Sequence, residues 1–205
     1  MALSTQQRIL HAARQVFIER GKDGARVDAI ARRGKVNKAL IYYYFSSKDQ
    51  LYYYVLRDTF SLILARVSGA LEPSKPPEER LRQMANAYHS FLMENRDFPR
   101  LILREIAAGA PVLRKIAHEM LKGDFENLPR SFEKTLKEGN RQGLWKSVDS
   151  RHALVSFLGM LIFPFVAAPL LENALGIKPD NPFWQERPGA VLELFFHGIQ
   201  RRDTE

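Results

Sequence analysis

The chain has 205 residues, of which 45% are hydrophobic and 26% charged; these fractions exclude a disordered or fibrous polymer and fit one ordinary domain or two small ones. It has no Cys, which excludes a disulfide scaffold, a thiolate metal site and a cysteine nucleophile, and fits a reducing, cytoplasmic setting. The net charge of +8 is uneven: residues 1–60 hold 11 Lys and Arg against 5 Asp and Glu, and residues 61–205 hold 20 against 18, so a basic module precedes a nearly neutral body and points to a polyanionic partner, a nucleic acid or an acidic membrane face.

The pattern predicts an all-α protein, because no segment alternates apolar and polar residues with hairpin turn signals. The start, Met1–Arg8, has no apolar run behind a basic stretch, so no secretory leader is expected. Ser4 and Gln7 form a capping-box pair that opens a first helix. Ile9, Ala13, Val16 and Phe17 recur on one face of it, and Gly21 is placed to end it in a left-handed conformation. A short helix over Val27–Arg33 follows, then a turn at Gly34-Lys35-Val36, then a third helix over Lys38–Tyr44 capped by Asn37. Phe45 should turn inward. Of the three successive tyrosines, at least one should face the core, Tyr43 or Tyr44 rather than Tyr42. A second capping box, Ser47 to Gln50, opens a long fourth helix reaching about Leu71.

Pro73, Pro76 and Pro77 break the chain and mark a linker. Beyond it Leu81, Met84, Ala85, Tyr88, Phe91 and Leu92 form the apolar stripe of a fifth helix. A sixth starts at Phe98-Pro99 and ends at Gly109. A seventh runs from Pro111 toward Gly139, bent or interrupted near Gly123 and Pro129. An eighth is capped by Asp149, and a ninth covers about Gly189–Arg201. Residues 153–171 carry no charge over 19 positions, about the length of a membrane span. Pro164 and Pro169 interrupt the stretch and no Trp or Tyr belt flanks it, so a helix buried in a core and a subunit interface is the better reading and a membrane anchor the alternative.

Catalytic spacings are absent: no GxSxG, P-loop, GxGxxG or HExxH. The five His residues are scattered, with no pair at i+3 or i+4, so no metal and no cofactor is expected, and no enzyme reading has a positive feature behind it. Residues 26–48 do have such a feature, two short helices joined by a three-residue turn. The second helix suits a major groove about 12 Å wide. Lys38 brings charge to its start, Ala39 permits close backbone approach, and the tyrosine hydroxyls can reach phosphates or base edges. Lys48, at the mouth of the fourth helix, can join the backbone N–H groups there in holding a phosphate.

The stretches Arg8–Gly21, Val27–Ala31 and Val36–Leu51, with their Tyr-Tyr-x-Phe-x-Ser-Lys core, resemble the N-terminal domain of TetR-family transcriptional regulators over roughly residues 5–56. The resemblance implies an N-terminal helix-turn-helix domain, about residues 1–50, and a divergent helical ligand-binding and dimerisation domain, 51–205, about nine helices in all. It implies that Asn37, Lys38, Ala39, Tyr42 and Tyr43 lie on the recognition helix and its cap, and that Lys48 contacts phosphate. Three positions depart from the pattern. Ala25-Arg26 replaces a Thr pair, and Arg26 adds a cation able to reach phosphate. Lys35 stands where a turn Gly is usual. Leu40 can read a thymine methyl but cannot hydrogen-bond.

The partners so implied are double-stranded DNA with a palindromic operator, a second copy of the chain and a small hydrophobic or aromatic effector, with no membrane. The protein would act as a repressor released by its effector; control by a protein partner is the alternative. Composition offers Phe91, Phe98, Phe125, Phe132, Phe157, Met160 and Phe163 as pocket candidates, each of which a plain core would also use. Phe157, Leu161, Phe165, Val191, Leu194, Phe195 and Ile199 are the expected dimer interface, because no other pair of segments is as apolar.

Overall fold

The computed structural model describes residues 3–120 and 124–199. Among these there are eleven helices and no strand: α1 Thr5–Gly24, α2 Val27–Gly34, α3 Lys38–Phe45, α4 Lys48–Ala70, α5 Pro77–Glu94, α6 Phe98–Ala107, α7 Pro111–Met120, α8 Asp124–Arg141, α9 Ser150–Val166, α10 Ala168–Leu175 and α11 Phe183–Ile199. About nine were expected. The stretch expected as a seventh helix carries α7 and α8 on either side of residues 121–123, which lie outside the described residues, and α8 runs unbroken through Pro129, while the apolar run from Ala153 bends by 73° into α9 and α10. No single helix among the described residues is long and apolar enough to cross a membrane. The last helix starts at Phe183, not Gly189, and runs through Pro188. The chain forms two compact units, one of residues up to Leu62 with Arg100–Glu119, the other of Ile63–Pro99 with the chain from Met120 on.

In the first unit the capping box of α1 is formed in both directions: Gln7 N–H donates to Ser4 Oγ at 3.2 Å and Ser4 N–H to Gln7 Oε1 at 2.9 Å. Ile9, Ala12, Ala13, Val16 and Phe17 of α1 are buried, as are Ile30, Ala31 and Gly34 of α2, Ile41 and Phe45 of α3, and Leu51, Tyr52, Val55 and Leu56 of α4. α1 does not end at Gly21 as expected. Its helical backbone is interrupted there (φ 71°, ψ 175°, a region open in practice to Gly alone) and resumes to Gly24. Arg104 of α6 donates to the Ile18 carbonyl at 3.0 Å, satisfying an acceptor beside the break. The Tyr52 hydroxyl donates to buried Glu105 at 3.1 Å, and the other oxygen of Glu105 accepts the Val112 N–H at 2.7 Å, so this carboxylate caps α7. Desolvation, then the Glu105 charge, pushes the Tyr52 hydroxyl well above the ordinary phenol range.

In the second unit α5, α8, α9 and α11 surround an apolar core in which Phe132 meets Phe157 at 6.0 Å and Phe157 meets Phe195 at 4.9 Å. Arg80, almost fully buried, binds Glu138 at 2.8 Å and the carbonyls of Pro73 and Lys75 at 2.7 Å, which pins the proline linker. Trp145 lies so close to Gly139 that a Cβ there would sit 1.9 Å from its ring, and its indole N–H donates to the Leu136 carbonyl at 2.7 Å. Pro164, inside α9, has no N–H to give the Met160 carbonyl four residues back; Arg187 supplies two donors instead, at 3.0 and 3.3 Å.

Candidate nucleic-acid interface

The turn between α2 and α3 is built by α2 ending in a Schellman arrangement. The Val36 N–H donates to the Ala31 carbonyl at 3.0 Å and the Lys35 N–H to the Arg32 carbonyl at 3.2 Å, with Lys35 in the left-handed region at φ 50°, ψ 47°. The residue that adopts the left-handed conformation is therefore the Lys, and Gly34 serves a different need. A Cβ on Gly34 would lie 3.3 Å from the Ala12 side chain, so glycine lets α2 pack closely on α1. Arg8 fastens the turn from α1, donating to the Gly34 carbonyl at 2.8 Å and to the Lys35 carbonyl at 2.6 Å. Sequence reasoning did not single out Arg8. The signal was a cation near a helix N-terminus, where the macrodipole disfavours one unless it has a specific partner.

α3 begins at Asn37, whose side chain accepts the Ala39 N–H at 2.9 Å. Ile41 and Phe45, four residues apart, are the buried anchors of the helix. Every other side chain projects outward: Lys38, Ala39 and Leu40 are exposed, and so are all three tyrosines, with Tyr43 the most accessible at 79%. The expectation that Tyr43 or Tyr44 faces the core is thus corrected. With anchors at 41 and 45, the 100° step of the helix leaves positions 42–44 off the buried stripe. Tyr44 rests edge-on against Tyr43 at 5.2 Å and near Phe45 at 6.3 Å, so ring packing holds the tyrosines as a surface cluster.

Lys38 reaches back to Asp28 of α2 at 2.8 Å, and that hydrogen bond raises its ammonium above the ordinary lysine value. Arg26, exposed at the entrance to α2, caps the helix with its carbonyl, which accepts the Ala29 N–H at 3.0 Å. Lys48 opens α4 half-buried and lies 3.4 Å from the carbonyls of Asp23 and Ala25, while Ser47 Oγ accepts the Gln50 N–H at 3.1 Å. The result is an exposed helix bearing Lys38, Ala39, Leu40, Tyr42 and Tyr43, flanked by Arg26 and Lys35 and fixed to its unit by Ile41, Phe45 and the Arg8 clamp.

The sequence and the fold both recur in known proteins. A family model described as bacterial regulatory proteins, tetR family, matches residues 9–55, and one described as tetracyclin repressor-like, C-terminal domain, matches residues 74–164. The chain belongs to the TetR family. This TetR-family chain is 28% identical over 198 residues to the HTH-type transcriptional regulator RutR of Escherichia coli O157:H7, covering 95% of this chain and 90% of that one. The crystal structure of the TetR-family regulator PfmR from Thermus thermophilus is similar at 26% identity and a TM-score of 0.71, covering 95% of this chain and all of that one. The fatty acid degradation regulator FadR from Bacillus halodurans shares the fold at a TM-score of 0.75 and 21% identity, covering 98% of this chain and 100% of that one. The chain is a DNA-binding transcriptional regulator, as these relatives are named.

The residues expected to bind an effector or to dimerise are placed as follows. Phe91, Phe98, Phe132 and Phe157 are buried against one another and other core rings, Met160 is half-buried, and Phe163 is exposed. The side chain of Phe125 lies outside the described residues. Of the interface set, Phe157, Leu161, Phe165, Val191, Phe195 and Ile199 are buried within their own unit, and only Leu194 projects outward, at 63% exposure. These six are core residues and not the expected interface: a helix that is apolar on most sides does not reveal in its sequence which side is outward. The surface of α9 and α11 is carried instead by Val155, Phe163 and Leu194, with Gly159, Gly189 and Gly198 open on it.

Proposed function

We propose that the chain is a homodimeric, ligand-responsive repressor whose α3 surface reads a palindromic operator. The observation that carries this is the outward projection of Lys38, Ala39, Leu40, Tyr42 and Tyr43 from a helix whose apolar anchors are only two. Exposed tyrosines and leucine on a folded surface are costly to leave in water and suited to base edges, thymine methyls and phosphates. Arg26 and Lys48 would bind phosphate from the flanks, and Asn37 would hold the helix start rigid. On this reading residues 1–50 recognise DNA, and residues 51–205 dimerise and take the effector, in the cytoplasm.

One helix-turn-helix reads too few base pairs to define a site, so two copies are needed, with half-sites about one helical turn or a multiple apart. Val155, Gly159 and Phe163, spaced by four on α9, and Leu194 and Gly198, spaced by four on α11, support a self-complementary face whose two glycines permit close helix approach. The aromatic content of the second unit supports a small hydrophobic or aromatic effector, with half-buried Met160 the accessible candidate off the dimer face among the described residues. Footprinting on genomic fragments, combined with sedimentation, tests the proposal. A two-fold footprint and a species of twice the chain mass are expected; a single-chain species with an asymmetric footprint would overturn it.

A further inference from the structure

A second basic surface lies in the other unit. α8 carries Arg130, Lys134, Lys137 and Arg141 at steps of four, three and four residues, which set all four on one helix face. Together with Ser147–Arg151 they line a groove of about 940 Å³, with Leu136 and Asn140 between them. Two carboxylates reach the groove, and both are engaged. Glu133 pairs with Lys137 at 2.6 Å. Asp149 accepts Arg151 Nη2 and the Arg151 N–H at 2.8 Å and the His152 N–H at 3.3 Å, and these contacts hold its carboxyl far below the usual carboxylate range. Lys134 and Arg141, both exposed, make no ion pair within 4 Å among the described residues, and the Glu138 carboxylate, held by Arg80, lies within reach of both charges.

The stripe sets four like charges three and four residues apart on one face, a spacing that repels even though Glu133 offsets Lys137. It spans roughly 16 Å along the axis at 1.5 Å per residue. The groove volume falls in the range of small-molecule sites, and guanidinium and ammonium groups beside Ser147 and Ser150 hydroxyls match phosphate oxygens. We infer that the groove between α8 and residues 147–151 binds a small molecule bearing two or more phosphate groups. The groove shares no lining residue with the aromatic effector candidates or with α3, and the inference does not depend on the effector reading.

Isothermal titration of the full chain with tripolyphosphate at 150 mM salt tests this, using wild type, the double variant Lys134→Gln/Arg141→Gln and the control Lys178→Gln. Both substituted groove residues are exposed, and a thermal melt checks that the fold is kept. Saturable binding is expected in wild type and in Lys178→Gln, weakened at least tenfold in the double variant. No saturable binding, or equal affinity in all three proteins, overturns the site. A poly-glutamate peptide and a 20-base-pair duplex are titrated in parallel. If either loses binding in the double variant while tripolyphosphate never binds, the groove is a macromolecular surface and the small-molecule inference falls.

Discussion

α3 and α9 are both rich in apolar and aromatic residues, yet they behave in opposite ways. α3 buries two side chains of eight and presents three tyrosines to solvent. α9 buries Ala153, Phe157, Leu161, Pro164 and Phe165 and leaves Val155 and Phe163 outside. A short helix held by one i, i+4 pair has most of its surface free for a partner. A long helix that is apolar on most sides fills its own core first, and only what remains can serve an interface. Composition does not tell these cases apart; the spacing of the anchors does.

Breaking the core side of this contrast gives the largest expected effect. Phe157→Ala should cost about 3–5 kcal/mol of stability, as for other buried aromatics, read from chemical denaturation. Leu194→Glu should leave folding nearly intact and shift the sedimenting species from dimer to monomer. If the two variants exchange these outcomes, Phe157 belongs to the interface after all. On the α3 side, Arg8→Ala removes both bonds to the helix-turn-helix turn. It should cost about 1–2 kcal/mol, a figure reduced because Arg8 is half exposed, and should weaken DNA binding without touching any α3 side chain.

The first unit was largely legible. The capping box at Ser4, the Asn37 cap and the inward Phe45 follow from local chemistry, and the ranges of α2 and α3 from periodicity. What was missed there needed three dimensions. Whether Gly34 or Lys35 adopts positive φ depends on how closely α2 approaches Ala12, and nothing local says so. In the second unit α10 was missed although Pro169 near its start and Gly176, at φ 65°, after its end are ordinary boundary residues. Reading 153–171 as one apolar run hid them. The split between core and surface on α9 and α11 was not legible, because it depends on which neighbours each helix meets.

Smaller effects sharpen the comparison further. Lys35→Gly relieves a left-handed lysine by more than glycine's added chain entropy costs and should stabilise the first unit by about 0.5–1 kcal/mol in a denaturation series. In the second unit buried His89 is held below the ordinary imidazole value by desolvation first, opposed by a backbone contact at Trp184 and reinforced by Arg96 and Arg187 nearby. The unfolded chain then takes up a proton that the fold resists. Stability should fall as pH drops through about 6.5 and should fall less in His89→Leu, as thermal melts between pH 7 and 5 would show. Tyr42→Phe, which keeps the ring, should cost about 0.5–1.5 kcal/mol of DNA affinity with stability unchanged.

The central claim is that the outward surface of α3 is where DNA binds. Fluorescence anisotropy of a labelled duplex, selected from random sequence by the wild-type protein and titrated between 50 and 200 mM salt, tests it most directly against Ala39→Glu. A glutamate in the first turn of α3 suits the helix dipole and should leave the fold intact, while placing a negative charge against the DNA. Wild type should bind with log affinity falling by about 0.9 per log salt for each phosphate neutralised, and Ala39→Glu should lose specific binding altogether. Equal affinity and equal salt slope in the two proteins would contradict the claim.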